Sequence, residues 1–379
     1  MNQYQICSRC VMDTTSVGIQ FDSSGVCSHC QRFDSYVRPQ LLNSQQKTEG
    51  LKALLDDVKL AGKGLKYDCL IGLSGGVDSS YVVYLAKKHG LRPIIVHFDN
   101  GWDSELAVRN IESIIKNTGF DYYNYIVDWE EFRDIQRAYF KASVVDVEVP
   151  TDMGIQSLIP RLAIKFNVPF VLFGENIETE STMGYGWNFD KMDRSNFEDI
   201  YKKYGGRPLK TFPYLSPLLR LRFKFKKIKL VNILAFDECN YFKIKELLNR
   251  EFGWRDYGVK HGESVFTKFY QSYYLLKKFG FDKRRAHLCD QINSGHIQRQ
   301  QALAVLDKPV YLSLEDEKNE LEYVINKLGF SEKEFSEILN LPCRTHSEFK
   351  IGKMYGSFID KVFLILIGAI KKLRGYFVK

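Results

Sequence analysis

The chain has 379 residues, of which 45% are hydrophobic and 26% charged. This composition is typical of a soluble globular protein with a sizeable core, and it excludes a disordered or collagen-like chain. The net charge of +8 fits an anionic substrate, a nucleic acid or a membrane surface, without choosing among them. No run reaches the roughly 18 apolar residues of a membrane-spanning helix, and no signal peptide is visible. We therefore expect a cytoplasmic protein with reduced cysteines.

The N-terminal region contains two cysteine pairs, Cys7 with Cys10 and Cys27 with Cys30, each in a CxxC spacing. Sixteen residues separate the two pairs. This spacing predicts a zinc ribbon in which each pair gives two thiolates to one tetrahedral ion. Four thiolates close the coordination sphere, so we expect the Zn²⁺ to be structural. A redox dithiol is the alternative, and the two matched pairs argue against it. The ribbon is predicted to occupy residues 1–45.

Strands and helices alternate after a polar, helical connector at residues 40–63. Strands are predicted at 67–73, 93–98, 122–127 and 169–173, and helices at 79–89, 104–117, 129–141 and 155–166. This order predicts an α/β fold with a doubly wound parallel sheet that binds ligands at the carboxyl ends of its strands.

The alternating pattern ends between residues 185 and 217, where Gly, Trp, Asn and Asp accumulate. A mobile lid and a packed surface excursion are equal alternatives for this segment. The rest of the chain is helical in character. We predict a nucleotide-binding domain over residues 46–235 and a helical region for substrate or partner over residues 236–379.

The first predicted strand leads into Ser74-Gly75-Gly76-Val77-Asp78-Ser79-Ser80. Two glycines let backbone N–H groups crowd onto one anion, and hydroxyl groups and a helix N-terminus also favour negative charge. Asp78 would be out of place there unless a divalent cation bridges it to a polyphosphate. The run therefore predicts a phosphate-binding loop, although an ordinary strand–turn–helix remains the alternative.

This run resembles the SGGVDSS signature of the PP-loop ATP pyrophosphatases, which cleave ATP between the α- and β-phosphates. It differs from a Walker A motif, which requires a Gly-Lys-Ser/Thr sequence. The resemblance implies ATP and Mg²⁺ as cofactors, with Asp78 holding the metal. The implied pyrophosphate ligands are Ser74, Gly75, Gly76, Ser79 and Ser80.

Polar residues also follow the other predicted strands, at the edge where the ligand of such a fold binds. Asp99 and Asn100 are expected to line the nucleotide pocket. Glu175 is a second candidate for contact with metal or substrate.

A polar segment at residues 254–264 contains Lys260, His261 and Glu263, and a basic run follows at residues 283–287. Alone, the first segment would be interpreted as an exposed turn. Together with the two CxxC pairs and SGGVDSS, the two segments resemble the N-acetyl sugar amidotransferase family of bacterial surface polysaccharide and nonulosonic acid biosynthesis. The resemblance extends from Cys7 to about residue 305.

The resemblance implies that ATP activates the oxygen of a sugar acetamido group as an O-adenylyl imidate. Ammonia then displaces AMP and leaves an acetamidino group, in the synthesis of lipopolysaccharide O-antigen or a related glycan. Lys260, His261 and Glu263 are the candidate catalytic residues on the sugar side. Arg284 and Arg285 are expected to neutralise either the diphosphate of a nucleotide-linked N-acetyl sugar or a carboxylate of the anionic sugar.

No cysteine lies in a glycine-flanked nucleophile elbow, so the chain is expected to lack glutaminase activity. Systems of this kind use a separate glutaminase and a cyclase-like subunit resembling imidazole glycerol phosphate synthase. We therefore expect such partners to supply ammonia through a tunnel.

Two other functions fit parts of the sequence. A PP-loop tRNA-modifying enzyme, either a thiolase or a lysidine-type ligase, would suit the zinc ribbon and the positive charge. That charge is spread out and a catalytic cysteine pair near the sheet is absent, so no nucleic acid partner is expected. A non-enzymatic zinc-ribbon adaptor would not need an intact Asp78.

The C-terminal residues 359–379 combine nine consecutive apolar residues with a basic end. Nine residues cannot span a bilayer, but such a helix could lie on the inner face of the membrane. Docking on the protein itself or on a partner is the alternative.

Overall fold

The computed structural model describes residues 3–175, 177–214, 216–237, 241–258 and 262–352. Its centre is a five-stranded parallel sheet in the order β3-β2-β1-β4-β5. The strands are β1 Cys69–Gly72, β2 Pro93–Asp99, β3 Asp121–Ile126, β4 Phe170–Phe173 and β5 Lys229–Asn232. The structure confirms the predicted parallel sheet and adds β5, which the sequence analysis missed.

Helices connect the strands and form the C-terminal region. Those before β5 are α1 Ser28–Arg32, α2 Ser44–Ala61, α3 Val77–Lys88, α4 Glu105–Thr118, α5 Trp129–Ala142, α6 Val149–Lys165, α7 Ile177–Glu180, α8 Arg194–Tyr204 and α9 Pro217–Phe225. Those after it are α10 Tyr241–Phe252, α11 Val265–Phe269, α12 Arg284–Asn293, α13 Arg299–Leu306, α14 Leu314–Leu328 and α15 Glu332–Asn340. A π-helix, Tyr270–Phe279, continues α11 directly.

Apolar residues cover both faces of the sheet. Cys69 and Ile71 of β1 pack on one face with α3, α4 and α10, whereas Leu70 packs on the other face with α6. Because successive side chains of a strand point to opposite faces, a strand that is buried throughout needs helices on both sides. The sheet is therefore doubly wound, as predicted.

The largest core cluster contains residues from every predicted segment of the chain. The four ribbon cysteines, Phe140 of α5 and Leu328 of α14 all belong to it. The proposed domain boundaries near residues 45 and 235 remain a prediction.

The segment of residues 185–217 is packed against the protein. Trp187 is fully buried and stacks on Phe281, with ring centroids 4.3 Å apart. The carboxylate of Glu131 accepts backbone N–H bonds from Lys210, Thr211 and Phe212 at 2.8 to 3.2 Å. These contacts favour the packed excursion over the mobile lid.

The predicted membrane-surface helix at residues 359–379 lies outside the described residues. Among the residues that are described, no helix is both long and apolar enough to cross a bilayer.

Candidate functional site

The loop between β1 and α3 is held together by the side chains of two of its serines. Ser79 Oγ lies 3.1 Å from Ser74 Oγ and accepts a 3.2 Å bond from the Ser74 backbone N–H. The backbone N–H of Gly76 donates to Ser74 Oγ at 3.2 Å. The helix therefore starts at a loop whose shape is fixed before a ligand binds. Asp78 lies in the first turn of this helix and is partly exposed.

Gly75 needs the backbone freedom of glycine. Its φ is +80°, and a Cβ there would lie 2.9 Å from the carbonyl oxygen of Ala107. The indole N–H of Trp254 donates to the Gly75 carbonyl at 2.8 Å, and the Tyr257 hydroxyl also donates to it. The chain after α10 thus fixes the orientation of the loop.

Glu263 reaches the same loop. Ser104 N–H donates to the Glu263 carbonyl at 2.8 Å, and Val265 N–H donates to the Trp102 carbonyl at 2.9 Å, so residues 102–104 and 263–265 form an antiparallel bridge. This pairing places Glu263 Oε1 3.2 Å from the position of a Cβ on Gly76.

The structure therefore brings one of the three predicted sugar-side residues to the phosphate-binding loop. Glu263 lies against the loop, whereas Lys260 and His261 lie outside the described residues. The roles of all three remain predictions.

Ser80 differs from the other predicted loop residues. It is fully buried, and its hydroxyl has no hydrogen-bond partner in the described part of the chain. Successive residues of a helix are rotated by about 100°, so Ser80 faces the core although Ser79 faces the loop. The burial of this hydroxyl sets Ser80 apart from Ser74 and Ser79, and its contact with pyrophosphate remains a prediction.

The polar residues after β2 are held by local hydrogen bonds. Asp99 Oδ1 accepts from Gly101 N–H at 2.9 Å, and Asn100 Oδ1 accepts from Trp102 N–H at 3.1 Å. Asp99 and Asn100 thus lie at the predicted edge of the sheet, and their nucleotide contact remains a prediction.

His97, near the end of β2, connects this edge to the phosphate-binding loop. Its ring bonds the Leu73 carbonyl at 2.7 Å and Asp103 at 2.9 Å. Burial lowers the pKa of His97, but the hydrogen bond and charge of Asp103, together with the Leu73 carbonyl and Asp99, raise it above its ordinary value. The histidine therefore fixes the residue that precedes the loop.

Glu175 follows β4 at the same edge. Gly174 allows this approach, because a Cβ there would lie 3.2 Å from the Asp78 carbonyl oxygen. The Glu175 side chain is solvent-accessible, yet protein surrounds it closely enough that desolvation, helped by Glu180 and Asp152, raises its pKa to about 7.

A buried charged cluster, which the sequence analysis missed, contains Asp152, one of the carboxylates that act on Glu175. Lys191 Nζ contacts Asp146 at 2.6 Å and Asp152 at 3.1 Å. Burial, helped by Asp152, raises the pKa of Glu148 in this cluster to about 8.

Glu148 connects this charged cluster to the phosphate-binding loop. It is only 8% exposed and accepts a 3.2 Å bond from the Thr267 hydroxyl, which in turn lies 3.0 Å from Ser264 Oγ. Ser264 directly follows Glu263, which lies against the loop. The charged cluster and the phosphate-binding loop therefore belong to one region of the molecule.

Two further polar groups of the cluster have no hydrogen-bond or ion-pair partner among the residues that the structure describes. The Lys283 ammonium group makes no hydrogen bond or ion pair with the residues that the structure describes, and it lies 5.8 Å from the ring centroid of Tyr270. Burial, together with Lys191, lowers the pKa of Lys283. The Tyr270 hydroxyl is buried and has no partner within the described ranges. These two groups could bond to polar atoms of a substrate.

Arg284 and Arg285 both pair with carboxylates and backbone carbonyl groups of the protein. Arg284 pairs with Asp282 at 2.6 Å and donates to carbonyl groups at the end of α13. Arg285 pairs with Asp13 at 2.9 Å and donates to the Val11 carbonyl at 2.7 Å. Both guanidinium groups are used in packing α12 against its neighbours. The substrate contact predicted for them remains a prediction, and Lys283 is the basic residue of that run that faces the charged cluster.

The four ribbon cysteines form the predicted metal-binding arrangement. Their sulfur atoms all lie within 4.8 Å of one another, with Cys7 and Cys30 4.0 Å apart and Cys10 and Cys27 3.6 Å apart. Tetrahedral Zn–S bonds of about 2.3 Å require sulfurs about 3.8 Å apart. Backbone N–H groups of Cys10, Met12 and Cys27 point at the sulfurs at 3.2 to 3.4 Å. The residues therefore fit a structural Zn²⁺.

The ribbon also contacts the segment that carries Lys191 and the helix α13. Ser16 Oγ bonds His29 Nε2 at 3.0 Å and accepts from Tyr185 N–H at 3.0 Å, so His29 is engaged outside the sulfur cluster. Arg299 of α13 donates to the Cys7 and Cys10 carbonyls at 2.9 and 3.0 Å. The ribbon thus joins the segment that carries Lys191 to the C-terminal helices.

Known proteins show similarity to parts of this chain. Residues 263–361 match the family described as LPS biosynthesis protein WbpG-like, C-terminal domain. Over 80 residues the chain is 34% identical to tRNA(Ile)-lysidine synthase of Chlamydia pneumoniae. That match covers 21% of this chain and 25% of the relative, so the chain spans about a quarter of the curated relative it matches.

Two solved structures are also similar, both with low TM-scores. NMN synthetase from Francisella tularensis is 12% identical with a TM-score of 0.33, over 80% of this chain and 98% of that one. NH3-dependent NAD synthetase from Campylobacter jejuni is 16% identical with a TM-score of 0.29, over 52% of this chain and 99% of that one. The SGGVDSS loop at the β1–α3 junction, together with the lysidine synthase and WbpG-like similarities, supports the resemblance to the PP-loop ATP pyrophosphatases.

Proposed function

We propose that the protein is an ATP-dependent amidotransferase that converts a sugar acetamido group to an acetamidino group in surface-glycan biosynthesis. The close approach of Glu263 to Gly76 carries this proposal. Glu263 is the first residue of the WbpG-like segment, and Gly76 belongs to the phosphate-binding loop. One site therefore combines an ATP loop with a segment typical of lipopolysaccharide biosynthesis.

In this proposal the loop binds the departing pyrophosphate through Ser74, Gly75, Gly76 and Ser79. Asp78 and Glu175 would hold Mg²⁺, which would offset the charge that develops as the α–β bond breaks. The acetamido oxygen attacks the α-phosphorus, and pyrophosphate leaves with the bridging electron pair. Ammonia then adds to the imidate carbon, loses a proton, and AMP leaves with the C–O electron pair.

The sugar side of the site is assigned to Lys260, His261 and Glu263, and we add Lys283 and Tyr270 on their geometry. Lys283 makes no hydrogen bond or ion pair within the described ranges, so its side-chain nitrogen is free to bond an oxygen atom of an anionic acceptor. Glu148 is a candidate for receiving the proton that the added ammonia loses.

We further propose that ammonia comes from a separate glutaminase with a cyclase-like subunit. Cys69 and Cys289 are fully buried, which is unsuitable for a nucleophile that must meet glutamine. Cys239 lies outside the described residues, and Cys343 is exposed with its thiol 3.4 Å from a backbone carbonyl.

The test uses the purified chain with ATP, Mg²⁺, ammonium chloride and a panel of free and nucleotide-linked N-acetyl sugars. The expected products are AMP, pyrophosphate and a sugar in which one oxygen is replaced by NH, measured by mass spectrometry. Glutamine without a partner should give no product. Formation of ADP, or AMP formation that no sugar stimulates, would contradict the proposal.

A tRNA-modifying activity is the second candidate, favoured by the similarity to lysidine synthase. The same assay with unmodified tRNA in place of the sugars separates the two functions. AMP formation that depends on tRNA and not on sugar would select this candidate.

A further inference from the structure

The segment around α9 is unusually basic. Residues 200–236 contain ten Lys and Arg residues and no Asp or Glu, and six of the ten cations fall between residues 220 and 229. The helix begins at a capped end, where the Ser216 hydroxyl accepts from Leu219 N–H at 3.2 Å. The positive charge is therefore presented on an ordered element.

One face of α9 exposes large apolar side chains. Leu221 is 50% exposed and Phe225 is 75% exposed. Residues four apart share a helix face, so these two side chains lie side by side. Phe223 points the opposite way and packs with the cluster on the α6 side of the sheet. The helix is thus anchored by one face and presents two apolar side chains on the other.

Cations flank this apolar pair. Arg222, Lys224, Lys226 and Lys227 are all exposed. Within the described ranges, Arg222, Lys224 and Lys227 have no ion pair, and Lys226 bonds only the neutral side chain of Asn167, at 3.2 Å. The positive charge is consequently available to an external anion.

We propose that Leu221 and Phe225, with the four flanking cations, dock the protein on an anionic lipid surface. Exposed apolar side chains between cations suit the boundary between headgroups and acyl chains. A double-stranded nucleic acid would use the cations through its phosphates but would leave Leu221 and Phe225 without a favourable contact. The phosphate-binding loop lies at the carboxyl edge of the sheet, whereas α9 ends where β5 begins, at the amino edge. Membrane contact would therefore leave the site accessible.

The experiment is flotation of the full chain with vesicles of phosphatidylcholine alone or mixed with phosphatidylglycerol. We expect binding to the anionic vesicles only, decreasing as salt is added. Each cation near such a surface contributes about a fivefold increase in affinity. Arg222→Gln, Lys224→Gln and Lys227→Gln together should therefore weaken binding about 100-fold. Leu221→Ser with Phe225→Ser should also weaken it.

The matched control is Leu312→Ser with Leu314→Ser. These side chains are 96% and 85% exposed but precede three acidic residues, Glu315, Asp316 and Glu317, so they should not affect binding. Unchanged thermal unfolding would show that the variants fold. The proposal is overturned if the wild type does not bind anionic vesicles. It is also overturned if both α9 variants bind like the wild type, or if the chain binds tRNA but no vesicle.

Discussion

At the residue scale, two carboxyl groups near the loop have strongly raised pKa values for the same physical reason. Burial disfavours the charged form of Glu148, and neighbouring carboxylates add to the effect of desolvation at Glu148 and Glu175. Such shifts cluster at functional sites because proton transfer and metal binding need groups that titrate near neutrality. The sequence analysis found Glu175 from its position after a strand. It missed Glu148, because this residue follows no predicted strand and belongs to no recognised motif.

Substitution of Asp78 tests whether the phosphate-binding loop holds a metal ion. Asp78→Asn keeps the size of the side chain and removes its charge, so the transition state would lose several kcal/mol of stabilisation. We expect AMP formation to fall on the order of 100- to 1,000-fold, with unchanged thermal unfolding. Glu105→Gln is the control, because this carboxylate occupies the first turn of the neighbouring α4 and is 91% exposed. An active Asp78→Asn enzyme would contradict the assignment.

Glu148 makes stability depend on pH. Its pKa of about 8 in the folded chain exceeds the ordinary value of about 4.3, so the fold favours the protonated form. Stability is therefore lost as pH rises from about 4.3 towards 8. Glu148→Gln should remove this loss, and its Tm should exceed that of the wild type by several degrees at about pH 8 but not at about pH 5. A constant difference across this range would show that Glu148 titrates normally.

At the scale of elements, the loop conformation depends on segments distant in sequence. Trp254 and Tyr257 bind the Gly75 carbonyl, and α4 lies where a Gly75 side chain would be. The sequence predicted the loop itself because a strand, two glycines and a helix start are local signals. It did not predict these supporting contacts, which join residues 179 and 182 positions apart.

Comparison of Gly75→Ala with Gly64→Ala separates the effect of steric contact from that of the left-handed backbone conformation, which both glycines share. A Cβ at Gly75 would meet the Ala107 carbonyl at 2.9 Å, which forces the loop to move. Since small misplacements are costly in catalysis, we expect kcat/KM for ATP to fall on the order of 100-fold. Gly64→Ala is the matched control, because Gly64 has the same φ of +80° and open space around it. It should cost about 1–2 kcal/mol of stability and leave activity unchanged.

The element that the sequence analysis missed, β5, also has a physical explanation. Its four residues lie at the edge of the sheet, only the last of them is buried, and they follow a run of lysines. Such a short edge strand lacks the continuous apolar run that marked β1 and β4. Similarly, α6 begins at Val149 and not at the predicted residue 155, because Pro150 fits a first helical turn although it looks like a helix breaker.

At the scale of the whole molecule, the ribbon connects regions that form the charged cluster. It holds Tyr185 through Ser16, and farther along the same segment Lys191 bonds Asp146 at 2.6 Å. On its other side the ribbon is bound by arginines of α12 and α13. Lys191 and Lys283, which are far apart in sequence, are thereby brought to one place. The spacing of these residues in the sequence could not predict the cluster, because its members lie in distant segments of the chain.

Removal of zinc should consequently act at a distance from the metal. If the four thiolates hold Zn²⁺, chelation should unfold the ribbon and lower Tm by at least about 5 °C, because the cysteines would lose their common ligand. Hydrogen exchange should increase in residues 5–30, and also in residues 184–191 and 284–306, which contact the ribbon. Sugar-dependent AMP formation should fall because Lys191 and Lys283 lose their supports, whereas β1 to β3 should stay protected. Readdition of Zn²⁺ should restore all three properties. If chelation removed the metal but changed exchange only in residues 5–30, the ribbon would be an independent module and not a support of the site.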